Sequence, residues 1–245
     1  MEKEKVRESI VDKTYWNDHW KNIQFEIVPD NHPVRQWLER EIPNKKDASC
    51  FEAGCYPGKF LAVFGEKGYE LNGVDSFEDT GAMLHWLKNQ GYKIGTFYQS
   101  DFSHFKISDI YDVVCSFGFI EHFSNWQEVV RKHIELTKRG GSIIIDVPNL
   151  KSPLYRFLYK IFEPQVLKNH VVLAMDMKTI CDTLEKDGCE IKSATYIGTF
   201  YFRFVTRHDV YSVIVAKIIN LLKPVFYLLP KSVYRRYIGI IGIKK

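Results

Sequence analysis

Two glycines, two acids and two histidines carry most of the chemistry this sequence can offer. Gly54 and Gly58 lie in Phe51-Glu-Ala-Gly-Cys-Tyr-Pro-Gly-Lys-Phe60, where a short apolar run passes into a helix-forming one. Glycine reaches backbone angles closed to other residues and lets a ligand approach the main chain closely. Asp75 stands twenty-one residues after Gly54, where a carboxylate can accept two hydrogen bonds from a ribose. Asp101 and Phe102 place an acid beside a ring, a pair able to hold an adenine amino group and stack on its face. His122 and His170 are the candidates for moving a proton, because an unperturbed imidazole titrates near neutral pH.

These residues need strands and helices to bring them together. The chain reads as strands at 48–53, 70–75, 93–98, 111–116 and 142–147, with helices near 57–66, 79–90, 103–109 and 125–138. Pro57 suits a helix start, where its missing N–H would be unpaired in any case. Repeated strand–helix units imply a parallel sheet with helices on both faces, and such sheets bind ligands outside the carboxyl ends of their strands. Glu52, Gly54, Asp75, Asp101 and Ser116 to His122 all fall at those ends. Two helices, near 9–22 and 32–41, precede the first strand, and Tyr15, Trp16 and Trp20 in the first could close over the ligand turn. After Pro148 the alternation stops. Residues 148–173 form a long aromatic segment, followed by a helix at 177–186, a long strand at 189–204, apolar helices over 210–229 broken at Pro224, and a final strand at 237–244.

Composition bounds the class. The 245 residues, 45% hydrophobic and 26% charged, suffice for one globular domain. The expected division is a helical cap at 1–45, a ligand-binding core at 46–147 and a substrate-side part at 148–245. The charged start, Met-Glu-Lys-Glu-Lys-Val-Arg-Glu, has no apolar leader segment, which predicts a cytoplasmic protein. Five cysteines without a C-x-x-C pair argue against zinc or disulfide exchange, and Cys50 and Cys115, in apolar strand-like runs, read as small buried residues in a reducing compartment. From Arg203 onward nine Lys or Arg face one acid, Asp209; this piece carries +8 of a total of +4, leaving an acidic body. Such asymmetry suggests an anionic partner. The cations alternate with large apolar residues, which argues against a nucleic-acid groove and leaves two readings of 210–236: peripheral contact with an anionic membrane surface, or a helix pair packed on the sheet between the last two strands.

The sequence resembles the class I S-adenosylmethionine-dependent methyltransferases. Glu52-Ala-Gly54-Cys-Tyr-Pro-Gly58 is similar to their first motif, Asp75 to the ribose acid, Asp101 to the adenine-contacting acid, and Ser116 to His122 to the segment after the fourth strand. Gly140-Gly141-Ser-Ile-Ile-Ile-Asp146-Val-Pro also fits. The resemblance implies an α/β, Rossmann-like, doubly wound seven-stranded sheet, mostly parallel with the last strand antiparallel, carrying extra N-terminal helices and a helical insertion before the last strand. It implies S-adenosyl-L-methionine as cofactor, contacted by Glu52, Gly54, Cys55, Tyr56, Gly58, Asp75, Ser76, Asp101, Phe102, Ser116, Phe117 and Gly118, with no metal. It also implies a small-molecule, sugar or lipid-linked glycan hydroxyl as acceptor, with His122 and His170 as catalytic residues. Tyr56 replaces the middle glycine of the family's loop, and its ring is expected to face the substrate side. His85, inside a helix, is read as structural.

Two other readings compete. A nicotinamide dehydrogenase would need G-x-G-x-x-G, but counting from Gly54 gives Tyr56 and Lys59. A methyltransferase-like binding protein without turnover would keep the same pocket, so the sequence leaves it open. A nucleic-acid base methyltransferase would carry Asn/Asp-Pro-Pro-aromatic after the fourth strand, where this chain has Ser116-Phe-Gly-Phe.

Overall fold

The computed structural model describes residues 9–11, 13–20, 23–106 and 108–245; the charged stretch 1–8 lies outside them. Helices α1 (Lys13–Trp20) and α2 (Pro33–Glu41) come first. They lead into β1 (Ser49–Ala53), α3 (Leu61–Glu66), β2 (Glu70–Asp75), α4 (Thr80–Asn89), β3 (Ile94–Gln99) and β4 (Tyr111–Phe117). A 3₁₀ turn at Ile120–His122 precedes α5 (Trp126–Glu135) and β5 (Thr137–Pro148). Then come α6 (Pro153–Phe162), α7 (Pro164–Lys168), α8 (Met177–Lys186), β6 (Cys189–Ile197), α9 (Val210–Leu221), α10 (Lys223–Phe226), α11 (Lys231–Tyr234) and β7 (Tyr237–Lys244).

The seven strands form one sheet in the order β3-β2-β1-β4-β5-β7-β6. β1 to β5 pair in parallel, and β7 runs antiparallel to both β5 and β6. This is the architecture expected from the sequence. Strands covered on both faces need apolar residues on both, and the central ones have them. Phe51, Val114, Ile143 and Ile145 pack into one core, while Cys50, Val113, Cys115 and Ile144 pack into the other. At one edge, β6 exposes Glu190 and Lys192, charges that discourage a further strand from pairing there.

Chain order fixes where a ligand can sit. From β1 the chain moves outward through β2 to β3, then returns to place β4 on the other side of β1. The connections therefore diverge at the carboxyl ends of β1 and β4 and leave a crevice there.

Several boundaries differ from the sequence expectation. The third helix begins at Leu61, because Pro57 to Phe60 are used in a turn closed by Gly58 N–H on the Cys55 carbonyl at 2.7 Å. No helix forms among the described residues of 103–109; Asp101 accepts from the Ser103 amide and hydroxyl and fixes a turn instead. The helix expected at 125–138 ends at Glu135, and β5 starts at Thr137. The strand expected over 189–204 stops at Ile197, since Gly198 takes φ +82°.

Residues 148–173 hold two helices, each with proline in its first turn. Against them lies a strap whose Phe200, Phe202 and Phe204 are buried. Strap amides need partners off the sheet. Asn220 of α9 bonds both the amide and carbonyl of Phe202, and Glu163 accepts from the amides of Val205 and Thr206 at 2.7 Å.

Candidate active site

Gly54 (φ +71°) and Gly58 (φ +84°) make the turn after β1 in the left-handed region that other residues avoid. A Cβ on Gly54 would stand 2.4 Å from the ring of Phe119, so the ring rests on the bare backbone of the loop. Asp75 closes the far side. Its Oδ2 accepts from the Tyr56 amide at 2.9 Å and its Oδ1 from the Phe77 amide at 2.8 Å. Burial pushes the Asp75 carboxyl up, opposed by the amides of Tyr56, Phe77 and Ser76. A carboxylate offers about four lone-pair sites, so both ribose hydroxyls can still be received.

Unsatisfied polar atoms cluster at these strand ends. Glu52 Oε2 at the end of β1, Ser116 Oγ on β4, Glu121 Oε2 just beyond it and Asp146 Oδ2 on β5 are all buried without a hydrogen-bond partner among the described residues. Native proteins leave few such groups, since each costs roughly 1–3 kcal/mol. Burial raises Glu52 well above the usual carboxyl range, helped by the nearby Asp75 charge. Glu121 is pushed up to about 8 by burial, with a small further push from Asp146. Asp146 is also pushed up to about 8 by burial, although Arg236 and Lys59 pull it down. The loop, the ribose acid and the orphaned Glu52 oxygen fit an adenosine bearing an amino acid: hydroxyls to Asp75, a cationic amino group to Glu52.

On the acceptor side the rings of His122 and His170 lie 4.6 Å apart. Each Nδ1 faces a main-chain carbonyl, His122 that of Asn169 at 2.9 Å and His170 that of Val166 at 2.5 Å. Burial lowers the His170 pKa. Helix α1 covers this pair and the loop together. Trp16 sets its ring 4.9 Å from that of His122, and Trp20 sets its own 5.9 Å from that of Tyr56. The expected cover by Tyr15, Trp16 and Trp20 is thus present as packing.

Comparison with known proteins decides the family. The profile of a methyltransferase domain family matches residues 21–194. The chain belongs to that family. The expected class I S-adenosylmethionine-dependent methyltransferase, with its cofactor, is borne out, and the nicotinamide alternative falls. Among solved structures, a SAM-dependent methyltransferase from Archaeoglobus fulgidus is 22% identical with a TM-score of 0.58, over 86% of this chain and 93% of that one. The magnesium protoporphyrin IX methyltransferase of Synechocystis, with bound S-adenosylhomocysteine, is 14% identical with a TM-score of 0.55, over 95% and 93%. No curated protein matches the sequence.

The methyltransferase places its other sequence-predicted residues unevenly. Cys55 is buried against Gly73, and Ser76 follows Asp75 half-buried. Gly118 takes φ +62°, and Phe117 stacks on Phe60 at 4.4 Å. Asp101 is exposed and occupied with Ser103, while Phe102 is buried with rings of Phe105, Phe119 and His133 around it. The ring of Tyr56 does not project into open substrate space; it is buried among Trp20, Phe25 and Phe77.

Sequence reading missed Glu121 as a site residue, although its place between Ile120 and His122 in an apolar run was a signal. It also missed a cationic group. Lys59, Arg203 and Arg236 all act on His32, which burial first and then these charges lower to about 4. Arg236 lies 5.2 Å from the rings of both Tyr201 and Tyr237. Far apart in sequence, these residues meet only because the strap and β7 return to the glycine loop.

Proposed function

We propose that this methyltransferase methylates a hydroxyl of a small molecule, sugar or lipid-linked glycan. The observation that carries the reading is the His122–His170 pair, seated under α1 next to the crevice that holds Glu52 and Asp75. When bound, S-adenosylmethionine supplies an activated methyl group on a sulfonium and leaves as neutral S-adenosylhomocysteine. Gly54, Cys55, Tyr56, Gly58, Asp75, Ser76, Asp101, Phe102, Ser116, Phe117 and Gly118 would hold it, with the Asp75 carboxylate receiving the ribose hydroxyls. His122 takes the proton of the acceptor hydroxyl as the oxygen gains its methyl group, with His170 holding the acceptor. Most of the rate comes from alignment and exclusion of water, with the base adding its share.

An anionic acceptor is supported by Lys59, Arg203 and Arg236, whose charges act together on His32 beside the glycine loop. Lipid linkage is supported by the face of α9 and α10. Val210, Tyr211, Ile214, Ile218, Leu221 and Val225 are exposed there, beside Lys217 and Lys223. Apolar burial and attraction to anionic headgroups add on such a surface. Among the described residues no helix is long and apolar enough to cross a membrane.

The test is methyl transfer from labelled S-adenosylmethionine to fractionated cell glycans and lipids. Incorporation into an alkali-stable ether that vanishes in Asp75→Ala is expected. Label found only in amines or in protein would overturn the hydroxyl reading.

A further inference from the structure

We infer that Glu121, His122 and His170 form a binding site for one divalent transition-metal cation on the acceptor side of the crevice. One ligand atom from each of the three lies within 4.8 Å of the other two. Ligands about 2 Å from a common ion are separated by roughly 3–4 Å, so a small side-chain adjustment closes the site.

Three features separate this trio from a chance cluster. The first is the carboxylate: Glu121 is 1% exposed, and its Oε2 has no hydrogen-bond partner among the described residues. The second is the tautomer. A carbonyl can only accept, so the Asn169 and Val166 oxygens fix the proton of each neutral imidazole on Nδ1. The lone pair is then on Nε2, and metal-binding histidines are commonly oriented by this kind of outer hydrogen bond. The third is rigidity. The Val171 amide donates to the Glu121 carbonyl at 2.7 Å and clamps the turn after β4 to the segment that bears His170.

The position is what gives the ion a use. A Cβ built on Gly118 would lie 3.6 Å from Glu121 Oε1, so the carboxylate stands directly against the end of β4 that borders the crevice. Two imidazoles and one carboxylate suit zinc, iron(II) or manganese(II) better than magnesium, which prefers all-oxygen shells. Three protein ligands leave coordination positions for the acceptor. A ligated hydroxyl is more acidic: its proton leaves to solvent, its oxygen forms the new bond to the methyl carbon, and the carbon–sulfur bond breaks, with no change in the oxidation state of the ion. This use rests on the hydroxyl-methylation reading and replaces His122 as proton acceptor; the ion site itself rests on the geometry alone.

The experiment is titration of tag-free, chelator-treated protein with cobalt(II), followed by calorimetry and by the visible absorption of the bound ion. One equivalent per chain is expected, with absorption that shows nitrogen and oxygen ligands. Glu121→Gln, which keeps shape and removes charge, and His170→Ala, at a half-buried position, should each weaken cobalt binding at least tenfold. A preserved rise in melting temperature with S-adenosylhomocysteine shows in both variants that fold and cofactor crevice survive. No stoichiometric cobalt or zinc binding, or cobalt binding unchanged in His170→Ala, would overturn the inference. Methyl transfer that continues without any ion would remove the ion's part in transfer and leave the histidine base standing; an ion bound without transfer would retain the site and remove the hydroxyl reading.

Discussion

The imidazoles of His122 and His170 sit with ring centroids 4.6 Å apart although one follows β4 and the other closes α7. Neither element alone makes a site; the carbonyls of Asn169 and Val166 orient the two rings toward one place. General-base contributions are typically about 10²–10⁴-fold. His122→Ala is therefore expected to lower kcat on the acceptor by that order, with little change in the KM for S-adenosylmethionine. Steady-state kinetics with each substrate varied checks the split.

The glycine loop makes a prediction by contrast. Gly54 and Gly91 both have positive φ, but a Cβ meets the Phe119 ring at 2.4 Å in the first and open space in the second. Left-handed backbone alone costs roughly 1–2 kcal/mol for alanine, and each kcal/mol lowers Tm by about 2–4 °C in a chain of this size. Gly91→Ala should show that loss only. Gly54→Ala should lose more and also weaken S-adenosylhomocysteine binding, as read by thermal melts with and without ligand.

Stability should fall as pH rises from about 5 to about 8. Burial holds Glu121 and Asp146 at about 8, above their ordinary 4.5 and 3.8. A carboxyl with a raised folded pKa keeps its proton longer in the folded state, so its contribution is full below the unfolded pKa and is lost as pH rises through about 8. Denaturant midpoints should therefore decline between about pH 5 and 8. Glu121→Gln and Asp146→Asn should each flatten that slope, whereas a slope unchanged in both would contradict the assigned burial effect.

Exposed apolar residues of α9 and α10, set among lysines, should bring the protein to anionic vesicles. Sedimentation with phosphatidylglycerol vesicles is expected, with weaker sedimentation as salt rises and loss in Ile214→Asp/Ile218→Asp. Equal recovery with neutral vesicles would count against the electrostatic share.

Much of this was legible in the chain because strand signals are local. The apolar runs at Cys50–Ala53, Val113–Cys115 and Ile143–Ile145, each followed by polar residues, mark buried parallel strands and their ligand-side ends together. Tyr237–Lys244 was readable for the same reason. What failed was set by side-chain partners distant in sequence. Phe200 to Phe204 look like a strand by composition, yet Asn220 satisfies the Phe202 backbone and the Tyr155 hydroxyl accepts from the Tyr201 amide, both off the sheet. Residues 148–173 show no clean helical period, yet Pro153 and Pro164 each start a helix, the role proline plays in a first turn. The Lys59, Arg203 and Arg236 group could not be read at all, since only tertiary packing joins residues that far apart.

The central claim is that an adenosine-bearing ligand crosses the carboxyl ends of β1, β2 and β4, with its ribose on Asp75. Calorimetric titration of S-adenosylhomocysteine into the wild-type chain and Asp75→Ala measures this most directly. The account predicts one equivalent bound by the wild type and at least a tenfold weaker affinity in the variant. Absence of binding to the wild type, or equal affinity in the two, would contradict it.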